Sequence, residues 1–255
     1  MTALSTASAA SAPRRLTEGD RIWRVVRLQY VNWRSALMLP WAILIGILLV
    51  NMTIWYLISS TAGPDTTTNT QYTGSIFYLL IYQAILAMQL MNATFSFALG
   101  LSSTRRDYYL GTSVWFLLHS AQYTVGVVLL SYIEQWTNGW GVGGHMFQTV
   151  YFGTGPLGER LFTIFFALLG ALFLGSIFGA VYVRWRANGL YVTGAVLVAA
   201  VLGVLTIATL TDSWGAIGRW FAGTGPFGLV AWSVPLTALC AVIGFVALRR
   251  ALPRS

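Results

Sequence analysis

ALMLPWAILIGILLVNMTIWYLIS, residues 36–59, holds no charged side chain across a length that spans a lipid bilayer. A helix needs about 20 apolar residues to cross a hydrocarbon core roughly 30 Å thick. Working outward, five further stretches qualify: 75–100, 112–133, 161–183, 190–211 and 226–248. Between them lie segments rich in Gly, Thr, Asn and Asp, which suit turns at a membrane edge. The composition agrees, with 9% charged, 56% hydrophobic and 15% aromatic residues. So few charges cannot cover the exterior of a water-soluble chain. The expected fold is an all-α membrane protein with six transmembrane helices, multi-pass in the plasma membrane.

The basic residues orient these spans. All are arginine, and Arg14, Arg15, Arg21, Arg24, Arg27, Arg34, Arg105, Arg106, Arg184, Arg186, Arg249, Arg250 and Arg254 fall on one side. Arg160 and Arg219 fall on the other. Cationic residues are enriched in cytoplasmic loops, so both termini are expected in the cytoplasm. Residues 1–19 read as a disordered cytoplasmic tail and 35–250 as the six-helix domain. Residues 20–34 read as an amphipathic helix in the cytoplasmic interface, with Arg21, Arg24 and Arg27 on one face and Ile22, Val25 and Val26 on the other.

Several functions are excluded by what the chain lacks. Without lysine there is no Walker-A site and no Schiff base for retinal or pyridoxal phosphate. Cys240 stands alone, so no disulfide forms within the chain. His119 and His145 are the only histidines, and neither lies in a zinc-protease motif. Glu18, Asp20, Asp65, Asp107, Glu134, Glu159 and Asp212 lie outside the span cores or at their edges. Ion-coupled transport, which needs ionisable groups deep in the membrane, is therefore disfavoured.

Polar residues within the spans suggest where function resides. Tyr78, Tyr82, Gln89, Asn92 and Ser96 share one face of the second span. That face can line a cavity for an amphiphilic substrate or carry hydrogen bonds between helices, and both readings stand. His119, with Gln122 and Tyr123, reads as a packing residue with a satisfied hydrogen bond. Small residues recur every four positions in the fourth span (Ala171, Gly175, Gly179) and the fifth (Ala195, Ala199, Gly203), a helix-packing pattern. Gly-Thr-Gly-Pro-Leu-Gly at 153–158 is echoed by Gly-Thr-Gly-Pro-Phe-Gly at 223–228. Pro156 and Pro226 suit helix entries, with glycine allowing the tight turn.

The loop after the second span reads ALGLSSTRRDYYLGT, residues 98–112. Thr104 and Asp107 form a Thr-x-x-Asp cap, and Gly111 is a natural terminator, so a helix of one to two turns is expected between them. This loop, the six-span layout and the N-terminal amphipathic helix together resemble the permease subunits of ABC-2 type exporters. The resemblance implies a permease moving a hydrophobic or amphipathic drug, peptide or lipid out of the cytoplasm. It implies a coupling helix carrying Arg105, Arg106, Asp107, Tyr108 and Tyr109, a second contact with Arg184 and Arg186, and an elbow helix with Arg21, Arg24 and Arg27. ATP and Mg would sit on a separate ATPase subunit, with no cofactor on this chain. A second permease subunit, most simply another copy, and membrane lipid would be its other partners, and nucleic acid would not. One departure is the long outer segment 134–160, since family members more often place their largest outer structure between the fifth and sixth spans. A lipid-modifying membrane enzyme and a non-enzymatic scaffold or immunity protein are the alternative classes.

Overall fold

A computed structural model describes residues 17–31, 33–62, 75–100, 104–148 and 155–249. Most of the expected N-terminal tail therefore lies outside the described residues. Among the described residues the elements are helical: α1 (Glu18–Tyr30), α2 (Leu39–Ala62), α3 (Ser75–Gly100), α4 (Arg105–Trp136), α5 (Leu157–Leu210) and α6 (Trp214–Arg249). Five helical segments among the described residues are long and apolar enough to cross a membrane.

The fourth and fifth expected spans fall within α5, whose 54 residues are interrupted at Arg186 (φ 55°, ψ −147°). The chain turns back on itself there. A Cβ on Gly189 would lie 3.1 Å from a methyl of Val181 and 3.3 Å from its carbonyl. Eight residues of straight helix would separate those positions by about 12 Å. A second break, at Gly225 (φ 64°, ψ 174°), divides α6 into a short arm, 214–224, and a long one. The two Gly-Thr-Gly-Pro segments thus end alike. Gly155 (φ 90°) precedes Pro156, which caps α5, and Gly225 precedes Pro226 at the head of the long arm of α6.

Side-chain contacts fix the helix directions. Gly175 packs on the Ala84 backbone and Gly179 on Met88 and Met91, so the first arm of α5 runs parallel to α3. The small-residue pattern there admits close approach, as expected. On the second arm, Ala195 and Ala199 are exposed and Gly203 meets open space, so the same pattern is unpacked. Gln83 of α3 meets His119 of α4, while Leu90 meets Tyr108, so α4 runs antiparallel to α3. Tyr109 donates to Ala241 O of α6 (2.6 Å), and the Phe162 and Phe227 rings meet at a tilt, 5.0 Å apart, so α6 runs alongside the first arm of α5. Arg105, Arg106, Arg184, Arg186 and the C-terminal end of α6 consequently gather at one end of the bundle.

Between α1 and α2 the helix widens into a π-turn at Arg34–Met38, where the Leu39 N–H reaches the Arg34 carbonyl. Pro40 has no N–H to offer. In the π register it leaves the Ser35 carbonyl without a donor, and in the α register the Ala36 carbonyl. Tyr82 of α3 donates to Ser35 O (2.7 Å), and Tyr123 of α4 donates to Ala36 O (2.9 Å). Trp41 stacks on the Tyr123 ring at 5.1 Å and closes the joint.

Candidate functional site

The arginine-rich end is organised around the junction of α1 with α4. Thr17 and Asp20 form a reciprocal capping box at the head of α1: each side chain accepts the other's N–H, at 3.1 and 3.3 Å. Thr17-Glu-Gly-Asp20 has the same Thr-x-x-Asp spacing as Thr104 to Asp107, so the sequence did carry a signal for this start. The Thr17 hydroxyl, donating to the Asp20 carboxylate at 2.8 Å, and then the Thr17 N–H hold this exposed carboxyl below the usual carboxylate range.

The expected short helix after Thr104 is not separate. Thr104 does cap it, accepting the Asp107 N–H at 3.1 Å. Gly111 does not end it: α4 continues without interruption to Trp136. Gly111 instead provides clearance, because a Cβ there would lie 2.6 Å from Val25 Cβ and 2.9 Å from Ile22 O. Val25 and Val26 are buried against α4, so the apolar face of α1 docks on protein rather than on lipid alone. Behind it Gln29 donates to Thr112 (3.1 Å), and Thr94 donates to Gln29 (3.4 Å) and lies 2.7 Å from the Tyr108 hydroxyl. This buried network ties α1, α3 and α4 together. Neither Gln29 nor Thr94 stands out in sequence, since a lone polar residue on an apolar face has no local partner pattern.

The seven residues expected to couple to an ATPase divide into two groups. Asp107, Tyr108 and Tyr109 are buried within the chain. Asp107 faces Arg21 at 3.8 Å, Tyr108 donates to Leu90 O (3.0 Å), and Tyr109 packs against Phe245. None of the three is presented at the surface of the chain. Arg105 is half-exposed; Arg106, Arg184 and Arg186 are exposed, as are Arg24 and Arg27 on α1. The Arg184 guanidinium sits 4.3 Å over the Trp185 ring. The exposed chemistry at this end is therefore a belt of guanidinium groups.

The expected face of α3 also divides. Tyr78 and Tyr82 are half-buried, and Tyr82 is committed to the π-turn. Gln89 and Asn92 are exposed, while the Ser96 side chain lies outside the described residues. His119 is buried, with Nε2 3.0 Å from Gln83 Oε1 and its ring stacked 4.3 Å from Trp115. Gln122 is exposed and makes no hydrogen bond with it.

At the opposite end, the described part of the long outer segment is an ordered cap assembled on one carboxylate. Glu134, fully buried, accepts from Trp140 Nε1, Met146 N and Phe147 N (3.0 Å each) and Gln148 N (2.9 Å). These bonds hold a tight reversal in which Trp140 takes a positive φ of 61°, a conformation rare outside glycine. His145 lies 3.6 Å from the same carboxylate. Arg160 is buried and donates to Gly155 O, Ser131 Oγ and Gln135 Oε1. Among the described residues no group of three or more His, Cys, Asp or Glu side chains is placed to hold a metal. No protein-family model, curated protein or solved structure matches the chain.

Proposed function

We propose that the chain is the membrane subunit of an ATP-driven exporter of the ABC-2 type, in the plasma membrane with both termini cytoplasmic. ATP and Mg are bound by a separate ATPase subunit, and a second permease subunit completes the pathway. The cargo class is hydrophobic or amphipathic.

One observation carries the reading. The 98–112 segment that resembles a coupling loop is braced from behind by α1, through Gly111, Val25 and the Arg21–Asp107 pair. That bracing leaves Arg106 exposed and Arg105 half-exposed at the head of α4, while Arg24 and Arg27 are exposed on α1. A lipid anchor needs only positive charge near headgroups. A rigidly supported cationic helix start also suits force transmission from a soluble acidic partner, and arginine's planar fork pairs bidentately with carboxylates. Buried Tyr108 and Tyr109 support the helix in this scheme rather than forming the contact.

The test is co-expression with a Walker-A ATPase encoded beside the gene, followed by purification and transport assays in vesicles. The expected result is a stable complex that exports an amphipathic dye only with ATP, and that Arg105→Glu/Arg106→Glu disrupts without loss of membrane insertion. Turnover of a lipid by the purified chain alone would replace this reading with that of an enzyme.

A further inference from the structure

We infer that the Gln89–Asn92 face of α3 is the surface on which a second copy of this chain docks, the amides pairing across a twofold axis. The inference names the contact for the paired permease proposed above, yet it needs only the bilayer and not the ATPase.

Both residues lie well inside the membrane segment. Gln89 is 11 residues and Asn92 8 residues from the end of α3 at Gly100, or about 16 and 12 Å along the axis at 1.5 Å per residue. Both are exposed, and neither has a hydrogen-bond partner among the described residues. Lipid chains cannot supply one, so an exposed amide there carries a desolvation penalty that a protein partner removes. Exposed threonines in the spans escape that penalty locally. Thr53, Thr206 and Thr209 each donate to the carbonyl four residues back, at 2.7–2.9 Å. The forked amide of Gln or Asn has two donors and an acceptor, more than one backbone carbonyl can satisfy.

The occupant follows from the same chemistry. Each amide both donates and accepts, so an identical face turned about a twofold axis presents the complement of every group, as an isologous contact requires. The surrounding surface permits the approach. Ile81 and Ile85 continue the exposed stripe on the outer side, and Ala93, also exposed, sits beside Asn92 where a small side chain lets backbones come close. Gln122 on α4 is also exposed, but no second amide stands on its helix face.

The experiment is cysteine cross-linking in native membranes, in a Cys240→Ala background, with Ile85→Cys, Gln89→Cys, Asn92→Cys and Ala93→Cys introduced singly. Disulfides form only where Cα atoms approach within about 7 Å. A covalent dimer of twice the chain mass is expected at one or more of these positions, and not at Leu49→Cys on α2. In detergent, Gln89→Leu/Asn92→Leu should raise the dimer dissociation constant about tenfold, as two to four lost interhelical bonds imply. Cross-linking at Gln122→Cys or Ala199→Cys with none along α3 would overturn the assignment. So would rapid labelling of Asn92→Cys by a membrane-impermeant maleimide without any dimer, or a covalent product with a different protein. If the dimer forms but no ATPase binds, the contact stands and the exporter reading fails.

Discussion

Two residues, Gly111 and Glu134, carry more of this fold than their local patterns reveal. Gly111 looks like a helix terminator, but its lack of a side chain is used across space, against Val25 and Ile22 of α1. Gly111→Ala should therefore leave α4 helical and push α1 off its seat, costing about 1–3 kcal/mol as overpacking does. A lower melting temperature in detergent, together with faster proteolysis within α1, is the expected signature. Glu134 reads as an acid at a span edge, and its importance comes from four donors that local pattern does not predict. Glu134→Gln keeps the shape and removes the charge, so each remaining bond weakens and one amide hydrogen is turned toward a donor. Hydrogen bonds to charged groups are worth about 1.5–3 kcal/mol each. The 137–148 cap should then exchange its amide hydrogens faster, while Glu134→Gln still inserts. Asp20 gives a pH signature of opposite simplicity. Its folded carboxyl is held below the ordinary range, so its contribution is complete at neutral pH and is lost as pH falls through that lowered value. Loosening of α1 in acid, absent in Asp20→Asn, is what amide exchange should record.

The elements differ in how far local pattern specifies them. Long uncharged stretches identify the membrane-crossing helices, because the hydrocarbon leaves few alternatives for an unpaired backbone. The paired glycine and proline of 155–156 and 225–226 likewise mark helix entries, since positive φ and a missing N–H are properties of single residues. The π-turn at Arg34–Met38 is different. Pro40 signals trouble for two carbonyls, but the hydroxyls that resolve it come from Tyr82 and Tyr123, far along the chain. The same remoteness is why the sequence leaves Tyr82 open between cavity lining and interhelical hydrogen bonding, and in the fold it makes such a bond, to Ser35 O. Leaving a buried carbonyl unsatisfied costs about 1–3 kcal/mol, so Tyr82→Phe and Tyr123→Phe should each destabilise the protein by that order. A second substitution isolates the cause. Pro40→Ala restores an N–H that can reach Ala36 O, and the Pro40→Ala/Tyr123→Phe pair should be more stable than Tyr123→Phe alone. If the double substitution is merely the sum of its parts, the tyrosine is acting through packing and not through that carbonyl.

On the scale of the whole molecule, the number of membrane crossings follows from the reversal of α5 at Arg186. A single straight crossing would place Arg184 and Arg186 near the middle of 54 residues, about 81 Å of helix against a core of roughly 30 Å. Each arginine at the bilayer centre would cost about 2.5–3.5 kcal/mol even on the most lenient scale. Reversal at Arg186 avoids both problems. It returns the guanidinium groups to the arginine-rich end and sends the 187–210 arm back across. The expected layout is then six crossings, with the turn at Asp212, exposed between α5 and α6, on the side opposite Arg106. With one crossing, Asp212 would share the side of Arg106 and the chain would end on the other face. Single cysteines at 106, 188 and 212 in a Cys240→Ala background separate these cases. An impermeant maleimide applied to intact cells should label Asp212→Cys alone, and applied to inside-out vesicles should label Arg106→Cys and Asn188→Cys. Labelling of Asp212→Cys from the same side as Arg106→Cys would reduce the crossings to five. It would also move the end of α6 away from the guanidinium belt and remove the six-span layout on which the exporter reading rests.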